Sequence, residues 1–136
     1  MKIKVVAGII FLSLLAGCKA KSGAGLPSSD FQGKVPDEIN QKLLALNELP
    51  TESMRGATAY AYYDEKRALL TITHRLRSSR WAWSMNKSDI EPSIIANTCD
   101  RFSEELYYGA GIRNWFAGSG GFVTKTITAD DCTFEN

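Results

Sequence analysis

The sequence predicts an α+β domain, with an antiparallel β-sheet built from two hairpins and covered by helices. Three observations carry this expectation. Residues 57–62 alternate small and large side chains, and 67–76 sets Leu70, Ile72, His74 and Leu76 on one face, the two-residue period of half-buried strands. Apolar residues at helical spacing come before these strands (Ile39, Leu43 and Leu46, with Leu49 extending the same face) and after them (Ile90, Ile94, Ile95). Beyond the second helical region, Gly118-Ser119-Gly120-Gly121 separates two more strand-like runs. The order helix, hairpin, helical region, hairpin belongs to the α+β class.

Pro36-Asp37-Glu38-Ile39 opens the first helix, with proline in its first turn and acids at the positive end of its dipole. Pro50 ends it. In 56–63, Ala57, Ala59 and Ala61 lie on one side and Thr58, Tyr60 and Tyr62 on the other. Asp64-Glu65-Lys66 makes a polar turn into the strand 67–76. Ser78-Ser79 breaks that strand, leaving Trp81-Ala82-Trp83 as an extension of it or a loop. Ser88 followed by Glu91 fits a capping box for a helix leading to Cys99, and Pro92 is tolerated because it lies near the first turn. A further helical stretch, 101–108, carries Phe102, Leu106 and Tyr107, and Gly109 and Gly111 are placed to end it. The runs 112–117 and 122–128 form the second predicted hairpin, which finishes at Asp130-Asp131-Cys132. No repeat of 20–50 residues is present.

The N-terminus reads differently. Met1-Lys2-Ile3-Lys4 is a short basic stretch, and residues 5–16 are almost wholly apolar. Such a run has the layout of a secretory signal, being shorter than the roughly 17–25 residues of a spanning helix. It ends in Leu14-Leu15-Ala16-Gly17-Cys18, which resembles the lipobox of bacterial lipoproteins. The resemblance implies cleavage before Cys18, acylation of its thiol, and attachment to a membrane facing the periplasm. Lys19, where aspartate would favour inner-membrane retention, points to the outer membrane. The expected organisation is a signal peptide over 1–17, a lipidated flexible tether over 18–34, rich in Gly, Ser, Ala and Lys, and a single domain over 35–136. The sixteen residues 19–34, if free, would span roughly 20–24 Å root-mean-square.

Removal of Lys2 and Lys4 with the signal leaves fourteen basic residues against fifteen acidic, a net charge of −1. With no basic stripe, the sequence predicts no nucleic-acid partner. Cys99 and Cys132 read first as a disulfide in an oxidising compartment, with a metal site or reactive thiol as the alternative.

Little in the sequence points to catalysis, and no enzyme, metal or cofactor is predicted. His74, the only histidine, lies within a strand pattern and reads as structural. Neighbours on a helix diverge by about 100°, so Glu104-Glu105 forms no carboxylate pair by itself; this doublet and Asp130-Asp131 read as solvated charges. The glycine cluster lacks the Lys-Ser/Thr of a phosphate loop and reads as a turn. Aromatic residues are in surplus for so small a domain. Tryptophan and arginine are favoured at binding hot spots, which makes Arg77, Arg80, Trp81 and Trp83 the candidate binding surface.

Residues 49–132 resemble the AspS-type pilotins, small α/β lipoproteins of type II secretion. The points of similarity are Leu49-Pro50 before a strand with Gly56 and Thr58, Thr71-Ile72-Thr73 in the next strand, Cys99 at a helix end, Gly111-Ile112, Gly121, and Lys125 followed by Cys132. The resemblance implies a non-catalytic domain that binds a short C-terminal segment of a secretin subunit and escorts it to the outer membrane. It also implies a Cys99–Cys132 disulfide. The arginine and tryptophan cluster over 77–85 departs from the family layout. The alternative function is an inhibitor, immunity or exclusion lipoprotein that blocks an incoming hydrolase, toxin, phage or plasmid factor. Tryptophans projecting on a loop would favour that alternative, and tryptophans lining a groove would favour the pilotin reading.

Overall fold

The computed structural model describes residues 25–134. The chain runs through α1 (Asp37–Leu44), a 3-10 turn (Ala45–Glu48), β1 (Glu52–Met54), β2 (Ala57–Asp64), β3 (Leu69–Leu76), α2 (Lys87–Arg101), α3 (Ser103–Tyr107), β4 (Gly111–Ala117) and a second 3-10 turn (Ala129–Asp131). The class is α+β, and the four strands lie side by side in the order β1-β2-β3-β4.

The sheet is mixed, which corrects the expected antiparallel sheet of two hairpins. β1, β2 and β3 pair antiparallel, but β3 and β4 run parallel. The cause is the helical region between them: α2 and α3 carry the chain back to the end where β3 began, the crossover a parallel pair requires. Residues 122–128 do turn back along β4, bridging Trp115 to Val123 and Ile112 to Ile127. Three steps on β4 face four on the returning segment, so a one-residue bulge interrupts the ladder. At the bulge the Thr124 hydroxyl accepts the Asn114 N–H at 3.0 Å.

Two boundaries also move. The β2–β3 turn takes in Arg67 and Ala68, with Ala68 at φ +51°, so β3 begins at Leu69. α2 is capped by Asn86, whose side chain accepts the Ser88 N–H at 3.1 Å. Glu91, expected to close a capping box with Ser88, accepts the Lys125 N–H at 3.2 Å instead. α3 ends as expected at Gly109, where φ is +114° and a Cβ would stand 2.4 Å from the Lys34 carbonyl oxygen.

The strand register places Tyr63, Leu70 and Ile112 in one row. They form the core with Ile39 and Leu43 of α1, Leu106 of α3, and Ile127. Cys99 and Cys132 are disulfide-bonded, their Cα atoms 5.5 Å apart, joining α2 to the segment after the second 3-10 turn.

The segment 18–34 divides. Residues 18–24 lie outside the described residues, whereas much of 25–34 is held against the domain. Gly33 N–H donates to the Arg67 carbonyl at 2.8 Å. Arg113, only 4 % exposed, donates from Nη2 to Pro27 O (2.6 Å), from Nη1 to Ser28 O (3.1 Å) and from Nε to Thr71 Oγ1 (3.0 Å). The Arg67 guanidinium donates to Ser29 O. Burial, and then the charge of Arg67, lower the pKa of the Arg113 guanidinium.

Candidate functional site

The alternation of β2 puts Ala57, Ala59 and Ala61 on the helix-covered face, in register with Leu76, His74 and Ile72 of β3. The methyl groups of Ala59 and Ala61 leave space between the 3-10 turn after α1 on one side and the end of α2 on the other. The result is a trough. Ala59, Ala61, Ile72 and His74 line it, with Leu46, Leu49 and Pro50 on one flank and Arg101 and Phe102 on the other, around about 270 Å³. A second hollow of about 330 Å³ shares Ile72, His74, Arg101 and Phe102 and continues along α2 past Ile90 and Ile94.

Its rim carries two of the large apolar side chains most open to solvent, Leu49 (53 % exposed) and Met54 (48 %). Glu52 and Arg101 place one charge of each sign beside this apolar space. Exposed large apolar side chains gathered at a concave face mark interaction sites in soluble domains.

His74 is fixed among the lining residues. Its Nε2 lies 3.0 Å from Asn114 Oδ1, and its ring stacks on Phe116 with centroids 4.7 Å apart. The environment is an amide and an aromatic ring, consistent with a structural part for this side chain. Among the described residues, no group of three or more His, Cys, Asp or Glu side chains is arranged to hold a metal ion.

Of the four residues read from sequence as a binding surface, all in one loop, Trp83 turns inward while Arg77, Arg80 and Trp81 are exposed. Trp83 is half-buried, donates from Nε1 to Ala117 O at 3.0 Å and packs edge-on against Phe116. Trp81 is 50 % exposed and lies across Gly56, where a Cβ would meet its ring at 2.8 Å. Arg77 is exposed yet donates from Nε to Ala57 O at 3.3 Å, and Arg80 is exposed. Cys18 lies outside the described residues.

The acidic doublets are not simply solvated charges. Lys42 of α1 bridges Glu104 at 2.8 Å and the buried Glu105 at 3.1 Å, joining α1 to α3. Asp131 pairs with Lys125 and accepts the Thr128 N–H at 2.9 Å, while Thr128 and Asp131 form a reciprocal capping box. Sequence reasoning missed Leu49, Met54, Arg101 and Phe102 as neighbours of one space. The available signal was the alanine side of β2, since a row of the smallest side chains beneath helices leaves a gap. Among the described residues no helix is long and apolar enough to cross a membrane. Compared with known proteins, the chain matches no family model, no curated protein and no solved structure.

Proposed function

We propose that this chain is a non-catalytic outer-membrane lipoprotein of the pilotin kind, anchored through acylated Cys18, that binds a short segment of a secretin subunit. The observation that supports the reading is the trough beside Ala59 and Ala61, with Leu49, Met54 and Phe102 around it. A segment disordered on its own folds as it binds and lays apolar anchors into such a groove. Each buried leucine-sized anchor contributes about 1.5–3 kcal/mol, offset in part by the cost of ordering the segment. Glu52 and Arg101 give an incoming segment a preferred direction. The lipid then determines where the complex goes. The half-exposed Trp81 on its loop favours the second reading, an inhibitor or exclusion lipoprotein.

The test is recovery of the acylated protein from cross-linked native membranes, with co-purifying proteins identified by mass spectrometry. Ala59→Phe, which fills the trough, is the comparison. The expected result is a secretin with the parent protein and its loss with Ala59→Phe at an unchanged melting temperature. A hydrolase, toxin or phage protein in place of a secretin would transfer the reading to the inhibitor class.

A further inference from the structure

The protein is close to neutral, but its charge is unevenly placed. No Asp or Glu occurs in residues 53–63, 66–88 or 106–129. These segments supply the loops at one end of the sheet, where β2 begins and β3 and β4 end. Arg55, Arg75, Arg77 and Arg80 are all exposed there, and none makes an ion pair among the described residues. Trp81 stands among them. One hollow beside it includes Arg55 and Leu76, and the other includes Arg75, Ser78 and Ser119.

We propose that this Trp81-centred arginine end is a contact surface for anionic phospholipid headgroups of the membrane that carries the anchor. The proposal rests on the lipoprotein reading of Cys18. Two observations select a lipid surface as the occupant. The first is charge: four exposed guanidiniums with no ion pair among the described residues, around a half-exposed indole, combine the cation and the amphipathic aromatic ring that settle at a bilayer interface, although Arg77 also donates to Ala57 O and Arg75 lies over the Trp115 ring. The second is reach. Cys18 lies eight residues before Leu26, a span of at most about 26–29 Å. The next residues, Pro27 and Ser28, are tied by their carbonyls to Arg113 on the sheet face away from the trough. Arg75 is on that same face, four residues along β3 from the partner of Arg113, or about 13 Å. Leu26 itself lies by the β2–β3 turn, and the maximum span from there to Cys18 is long enough for the arginine end to reach the headgroups, while the trough lies on the other face of the sheet.

The test uses the acylated protein reconstituted into vesicles containing brominated lipids, with and without phosphatidylglycerol, and reads tryptophan quenching. Quenching that depends on phosphatidylglycerol, weakens in high salt and disappears in Trp81→Phe is the expected result. Arg77→Gln with Arg80→Gln should weaken the contact about fivefold per charge removed. Equal quenching with and without phosphatidylglycerol, or equal quenching in Trp81→Phe, overturns the proposal. So does a double arginine variant that keeps full quenching but loses an acidic co-purifying protein, which would assign the surface to that protein. The mass of the Cys18 peptide is read separately. A missing acyl mass sinks the anchor reading, whereas an acylated protein without quenching sinks only this surface.

Discussion

Arg113 is a nearly buried cation whose hydrogen-bond partners among the described residues are two carbonyls and a hydroxyl, with no carboxylate. Replacing it with methionine removes a desolvated charge and frees the carbonyls of Pro27 and Ser28. Both residues line an open hollow of about 720 Å³, where water can take the place of the guanidinium. Arg113→Met should therefore cost no more than about 2 kcal/mol in urea unfolding while protease cleavage within 25–31 accelerates. Unchanged cleavage would show that the segment is held some other way. For Asp131, burial pushes the carboxyl up, but the Lys125 ammonium and the Thr128 N–H and hydroxyl outweigh it, so the group sits below the usual carboxylate range. The folded state thus binds its proton less readily than the unfolded chain does. Its contribution to stability is complete above the ordinary carboxylate range and is lost as pH falls through and below it. Urea titrations across that window should show a shallower acid loss for Asp131→Asn than for the parent. At this scale the sequence was a partial guide: the strand position of His74 was legible, but the pairing of Glu105 and Asp131 was not, because their partners, Lys42 and Lys125, become neighbours only on folding.

At the scale of elements, the disulfide is the strongest single constraint. It closes a loop with a sequence separation of 33 and ties α2 to the C-terminal segment. Replacing both cysteines by serine should cost about 3–4 kcal/mol in the chain-entropy account, read as a lower urea midpoint without a change in the strands. A negligible shift would mean that contacts in the folded state already hold that segment in place. The first helix and the β2–β3 hairpin were legible because their signals are local: helical spacing, strict alternation and a short polar turn. The start of α2 was not, since Asn86 and Ser88 are both good caps and Glu91 is drawn away by Lys125. The second hairpin was legible as a chain reversal but not as an interrupted one. Its bulge depends on where Thr124 meets Asn114.

At the scale of the whole molecule, three features occupy different places: the trough on the helix side of the sheet, the arginine end, and the N-terminal segment across the opposite face. In the proposed arrangement the lipid sets position and the trough selects the partner. Cys18→Ser should then abolish palmitate incorporation and outer-membrane recovery. Normal recovery of that variant in outer-membrane fractions would sink the anchor reading.

The sequence by itself determined the helix–hairpin–helix order, the α+β class and the alternation of β2, and it made a Cys99–Cys132 disulfide the first reading. Each of these rests on periodicity or on a count, which act over a few residues or require no geometry. The tertiary structure decided the parallel β3–β4 pairing, the clamping of 27–29 by Arg67 and Arg113, and the gathering of Leu49, Met54 and Phe102 around the alanines of β2. Those depend on which distant segments share a surface: backbone carbonyls leave no residue type in the chain to announce them, and the alanine row signals a gap without saying which side chains surround it.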